Sequence, residues 1–272
     1  MTNTRTKSLM IIVITVCILL LITIVGSMIK EDALKADFSI KNQSPSLSHF
    51  FGTDWMGRDM FLRTIKGLSM SLTIGIVASV FSAFIAVIVG VLAATMPKWV
   101  DNIIIWFIDL VMGIPHILLL LIISFVVGRG FKGLMIGIVV THWTGLARLI
   151  RSEVLQIRSE FYIKLSKKLG KSNFYIFRKH ILPHILPQFL VSLILLFPHA
   201  ILHEASITFL GFGLSPEKPA IGIILSESMK YLSAGMWWLG FFPGLCLVIM
   251  IILFEKLGES LRKVMDPYSA QL

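Results

Sequence analysis

Two histidines four residues apart, His199 and His203, followed at once by Glu204, offer the most chemistry in this 272-residue chain. On a helix, a four-residue step is about 6 Å along the axis and keeps both imidazoles on one face. Neutral imidazole is a good ligand for nickel, copper or zinc. Glu204, one residue on, belongs to a different face, and Pro198 ahead of the pair removes a backbone hydrogen bond and loosens the helix. His142 and Asp109 are further ionisable groups inside apolar stretches, where such groups usually face a bundle interior or a cavity. Two readings stay open for the histidines: contact with a metal or substrate on a path, or hydrogen bonds to neighbouring helices. For Asp109 the alternatives are lining the path or pairing with a basic group on another helix.

No catalytic set accompanies these residues, and no HExxH pattern is present. Gly170-Lys171-Ser172 looks like the end of a phosphate loop, but Leu165 stands where that loop needs glycine and no strand precedes it. The chain is therefore expected to have no catalytic residue, no ATP site and no cofactor of its own. Cys17 and Cys246 lie in separate apolar blocks and suggest packing rather than a disulfide framework.

The elements that must position these groups are membrane helices. Hydrophobic residues make up 56% of the chain and charged ones 15%, with mean hydropathy +0.86; soluble domains carry about a quarter charged residues. The apolar residues sit in blocks, and six spans are expected at roughly 8–29, 69–96, 102–127, 133–150, 184–204 and 237–257. The first is long enough to cross a bilayer and lacks a cleavage site, so it reads as an uncleaved span preceded by a short N-terminus, 1–7. Residues 30–68 form an outer segment, 69–257 a membrane core with a loop at 151–183, and 258–272 a tail. The fold class is all-α, polytopic.

The net charge of +10 would suggest nucleic acid in a soluble protein. Here it marks sidedness instead. Arg148, Arg151, Arg158, Lys164, Lys167, Lys168, Lys171, Arg178 and Lys179 face only Glu153 and Glu160 in the stretch before Pro183. That bias places the loop and both termini in the cytoplasm. The outer segment carries Gly52-Thr53-Asp54 and Gly57-Arg58-Asp59, read as capped turns leading into an amphipathic helix. A second outer stretch, 205–236, is broken by glycines, Pro216 and Pro219 and is expected to fold back onto the bundle. Gly133–Gly137 and Gly240–Gly244 are expected close-packing points.

The most informative stretch is EFYIKLSKKLGKSNFYIFRKHILP, 160–183. Phe161, Leu165 and Leu169 recur every four residues and stack as an apolar ridge, Gly170 stops the helix, and a second short helix from Phe174 to His180 runs into Pro183. Gly170 followed after nine residues by His180-Ile181-Leu182-Pro183 resembles the signature loop of permeases in binding-protein-dependent ABC importers. Lys164-Leu165-Ser166 stands where that family has Glu-Ala-Ala, so the small-residue contact is absent while the ridge remains.

FGTDWMGRDMFLR (51–63), HEASITFLGFGLSPEKPAIG (203–222), WWLGFFPG (237–244) and LGESLRKVMDP (257–267) resemble, in order, motifs of the peptide and nickel branch of that family. The resemblance implies a type I importer permease fold in the bacterial cytoplasmic membrane. It implies that Glu160, Phe161, Lys164, Leu165, Lys168, Leu169, Gly170, His180, Leu182 and Pro183 couple the chain to an ATPase. It also implies a second homologous permease, two ABC ATPases holding ATP and magnesium, an outer solute-binding protein and surrounding lipid. His142-Trp143, His199 and His203 are similar to the nickel members, so nickel or a metal chelate is the expected cargo, with dipeptides or oligopeptides as the alternative. Two rival classes carry less. An ion-coupled secondary transporter would show repeats and mid-membrane charge pairs, and a membrane-embedded enzyme would need a fuller catalytic set.

Overall fold

The computed structural model describes residues 4–30, 35–215 and 217–265. The ends of the expected terminus and tail, 1–3 and 266–272, residues 31–34 of the outer segment, and Pro216 lie outside the described residues. Among the described residues there are ten α-helices and no strand beyond a single Thr53–Asp59 bridge.

The helices are α1 (Thr4–Met28), α2 (Met60–Thr95), α3 (Lys98–Gly113), α4 (His116–Val127), α5 (Phe131–Ser159), α6 (Phe161–Lys168), α7 (Asn173–Ile176), α8 (Leu182–Phe209), α9 (Ile221–Leu232) and α10 (Trp238–Met265). A π-helical turn, Phe177–Ile181, joins α7 to α8. Five stretches are long and apolar enough to cross a membrane, and α3 with α4 makes a sixth if the two count as one broken span.

The spans run past their expected ends, because an apolar window finds the membrane part of a helix and misses the polar turns that continue it. α2 starts at Met60, inside the expected outer segment, and its 36 residues rise about 54 Å, well beyond a hydrocarbon core of about 30 Å. α5 continues to Ser159 and takes Arg151 and Arg158 out of the expected loop. α10 reaches Met265, inside the expected tail. The expected third span is not one helix: α3 and α4 meet at 96°. Ile114 is extended (φ −88°, ψ 134°), as a residue before proline prefers, so α3 ends there and Pro115 caps α4.

α2 is the central post, packed on α5, α8 and α1. Its buried face is built from small residues, among them Gly75, Ala78, Ser82, Ala86, Gly90 and Ala94. The benefit is closeness: a Cβ on Gly90 would lie 2.6 Å from the Ala147 carbonyl oxygen of α5. Gly133 and Gly137 likewise bring α5 onto α4 beside Ser124 and Leu120.

Outside the bundle, residues 35–59 form a compact cap. Asp37 opens a 3-10 turn at Phe38–Ile40 by accepting from the Ser39 amide (3.1 Å) and hydroxyl (2.6 Å), which hold its carboxyl below the usual carboxylate range. Asp59 caps α2 by accepting from the amides of Phe61 (2.8 Å) and Leu62 (3.1 Å), as the glycine-plus-acid pattern predicts. Fully buried Asp54 accepts from the Met56 and Arg58 amides, from Arg58 Nε (2.7 Å) and from Arg63 Nη1 (3.0 Å). Arg63 also donates to Glu227 of α9, tying the cap and the start of α2 to the returning stretch after α8.

Side-chain links join like ends of the helices. Arg158 at the end of α5 donates to the Ala94 carbonyl at the end of α2, and Arg151 grips Asp101 of α3 through two bonds of 2.6 and 2.7 Å. At the opposite end, Ser124 of α4 donates to the Phe212 carbonyl (2.8 Å). The α3–α4 pair therefore connects both ends of the bundle despite its bend.

Candidate functional site

Three helices bring one histidine each to the same point. His116 is the first residue of α4, directly after the Pro115 break; His142 lies midway along α5; His203 lies on α8. One nitrogen from each lies within 4.8 Å of the others. The ring centroids are 4.7 Å apart for His116–His142, 4.4 Å for His116–His203 and 5.2 Å for His142–His203.

His142 is buried and its tautomer is fixed. Its Nδ1 lies 3.0 Å from the Ile138 carbonyl oxygen, which only accepts, so Nδ1 carries the hydrogen and Nε2 keeps its lone pair. That Nε2 is buried and has no hydrogen-bond partner among the described residues, and the same holds for His116 Nδ1.

The trio borders a cavity of about 550 Å³ lined also by Val111, Met112, Gly113, Ile114, Pro115, Thr141, Thr144, Leu196 and His199. The break between α3 and α4, Val111 to Pro115, forms one wall of it. His199 is exposed and lines this cavity, but it lies outside the close trio. The expected His199–His203 pair is therefore replaced by His203 with partners from two other helices.

Two expected path residues do not reach the cavity. Asp109 pairs with Arg148 of α5 instead. Glu204 is fully buried on another face of α8, where it accepts from Thr208 (3.0 Å) through Oε1 while Oε2 has no partner among the described residues. His116 was not among the sequence candidates. Its signal is the Pro115-His116 step, which puts an imidazole at a forced helix start.

The polar elbow lies at the Ser159 end of the bundle. α6 ends in a Schellman motif: the Gly170 amide donates to Lys167 O (3.0 Å) and the Lys171 amide to Ser166 O (3.1 Å), with Gly170 at φ +74°. Ser172 then caps α7 by accepting from the Tyr175 amide (3.2 Å). The second helix of the elbow does not stop at Pro183 but runs through the π-turn into α8. On α6 the ridge faces outward: Phe161 is 76% exposed, Leu165 44% and Leu169 69%. On the inner face Ile163 is buried with Ile176 and Ile181 against Ile150, Val154 and Ile157 of α5. His180 lies between the rings of Tyr162 and Tyr175. Glu160 caps the start of α6 through its backbone, Lys164 and Lys168 are exposed, and Leu182 and Pro183 open α8.

A larger hollow of about 720 Å³ between α8, α9 and α10 is walled by Leu202, Phe209, Leu225, Met229, Trp237 and Phe241 among others, and offers apolar surface rather than ligands.

A family model described as "Binding-protein-dependent transport system inner membrane component" matches residues 86–268. The dipeptide transport system permease protein DppC of Bacillus subtilis (strain 168) is 32% identical over 237 residues, covering 87% of this chain and 74% of that protein. The oligopeptide transport system permease protein OppC of the same organism is 32% identical over 85% of this chain and 77% of its own length. A putative peptide transport system permease protein of Brucella suis is 35% identical over 83% and 75%. Among solved structures, the inward-facing MetNI methionine ABC transporter aligns with TM-score 0.63 and 21% identity, over 76% of this chain and 98% of that one. The helices have the type I importer permease fold. The names of these relatives favour the peptide side of the family over nickel.

Proposed function

The chain belongs to the family of binding-protein-dependent transport system inner membrane components and is the permease subunit of an ABC importer; from this premise we propose that its cargo is a short peptide. The relatives named for dipeptides and oligopeptides support that cargo. The permease works beside a second, similar permease, two ABC ATPases that hold ATP and magnesium, and an outer solute-binding protein. It lies in the cytoplasmic membrane with both termini and the α6–α7 elbow in the cytoplasm.

The observation that carries the mechanism is the two-sided elbow. Its outward face is an uncovered apolar ridge, Phe161, Leu165 and Leu169, and its inward face is locked to α5 by Ile163. An ATPase groove covering the ridge gains apolar burial, about 25 cal/mol per Å². Movement of the ATPase passes through the π-turn into α8 without an intervening loop. α8 carries His203, so the same push reaches the cavity wall. Binding of ATP shifts the population between inward-open and outward-open states only if the ATPase grips the elbow differently in each.

Replacing Phe161 and Leu169 together by Asp tests this. Both are exposed, so insertion and helix content are expected to stay normal, while co-purification with the ATPases is lost and peptide uptake falls at least tenfold. Normal uptake by the double variant would remove the coupling role.

A second reading, nickel or a metal chelate as cargo, has one observation in its favour, the three histidines on the cavity wall.

A further inference from the structure

We propose that His116, His142 and His203 form a three-imidazole site for a divalent late transition-metal ion of the zinc, nickel and copper group, open on its fourth side to the cavity. Sequence spacing does not show this site, since its ligands come from α4, α5 and α8. The inference goes beyond peptide carriage and does not need it.

Metal–imidazole bonds of about 2.0–2.1 Å put the nitrogens of a tetrahedral site about 3.4 Å apart. The three nitrogens here lie within 4.8 Å of one another, at most about 1.4 Å wider than a tetrahedral site needs. His142 is already arranged as a ligand. Its Nδ1–H is spent on the Ile138 carbonyl (3.0 Å), which orients the ring and leaves the Nε2 lone pair for a metal. That Nε2 and His116 Nδ1 are the buried imidazole nitrogens with no partner among the described residues. A buried polar atom left unpaired is costly, and a cation satisfies both at once.

Ligand type sets the selectivity. Three neutral nitrogens and no carboxylate on the cavity wall suit zinc, nickel or copper and disfavour calcium and magnesium, which want oxygen. The loaded site keeps its +2 charge, so an amine or carboxylate of a small chelating cargo is the natural fourth ligand, reaching in through the cavity. Because α8 is continuous with the elbow, movement there shifts His203 against the other two and weakens the site.

The test is titration of the purified full chain in detergent with Co²⁺ alone, read by its visible d–d absorption, followed by displacement with Zn²⁺. One equivalent of Co²⁺ is expected. His142→Gln and His203→Gln lower the affinity at least tenfold, while the exposed His184→Gln, outside the cavity, leaves it unchanged. Helicity and the size-exclusion profile check the fold, and if an internal variant aggregates, His116→Gln at the helix start carries the same comparison. Addition of glycylglycine to the Co²⁺-loaded chain is expected to change the spectrum as the fourth ligand enters. Absence of stoichiometric Co²⁺ binding in the folded wild-type chain, or binding that survives the trio substitutions, overturns the site. A chain that carries peptides yet binds no Co²⁺ sinks the site and spares the peptide reading; one that binds Co²⁺ but never joins an ATPase does the reverse.

Discussion

Arg63 shows how much one side chain holds at the outer end. It is 3% exposed, bridges Glu227 and the wholly buried Asp54, and lies over the Trp55 ring at 5.6 Å. Trp55 in turn stacks on Tyr231 at 4.6 Å. Removing one member of a buried ion pair leaves the other charge without compensation, at about 3–5 kcal/mol. Arg63→Leu is therefore expected to destabilise the chain by about 3 kcal/mol or more in a denaturant titration in detergent. It is also expected to loosen residues 35–59, read as faster amide exchange there. A change below about 1 kcal/mol would show that Arg58 alone satisfies Asp54. The sequence pointed to this acid through its glycine-flanked turn, but not to Glu227, which is 164 residues from its partner. His116 was missed for the same reason: spacing along one helix is visible in a sequence, and convergence of several helices is not.

At the scale of elements, amphipathic spacing and end signals were the legible part. Phe161, Leu165 and Leu169 at intervals of four gave the ridge, Gly170 gave the stop, and Asp59 gave the start of α2. The bend between α3 and α4 was not legible, because the apolar run from 102 to 127 is long enough for one straight span and Pro115 alone does not say whether a helix kinks or breaks. Gly170 supports a clean prediction. A Cβ there meets nothing within 4 Å, so space is not the obstacle; φ +74° is. Val is strongly disfavoured in the left-handed region, whereas Asn enters it readily. Gly170→Val is expected to unseat the Schellman turn and lower uptake at least tenfold with membrane insertion intact, and Gly170→Asn to stay within about twofold of wild type. Equal transport by the two variants would mean that the turn geometry does not matter to coupling.

For the whole molecule, sidedness decides whether the mechanism is possible at all. The links between like helix ends fix which residues share a side: Arg158 with Ala94 and Arg151 with Asp101 at one end, Arg63 with Glu227 and Ser124 with Phe212 at the other. The first end carries the elbow and its lysines, and the second carries the cap. Positive charge is retained in the cytoplasm, so the whole bundle can be oriented with two probes. In a background with Cys17→Ala and Cys246→Ala, Leu47→Cys on the cap (Leu47 is 93% exposed) is expected to react with a membrane-impermeant maleimide in intact cells. Lys171→Cys, exposed on the elbow, is expected to react only after the membrane is opened. Leu47 belongs to the cap at the Met60 end of α2 and Lys171 to the elbow at its Thr95 end, and the helix, about 54 Å long, exceeds the hydrocarbon core. Labelling of Lys171→Cys in intact cells would turn the bundle over, put the ridge out of reach of any ATPase in the cytoplasm, and end the coupling account while leaving the histidine site untouched.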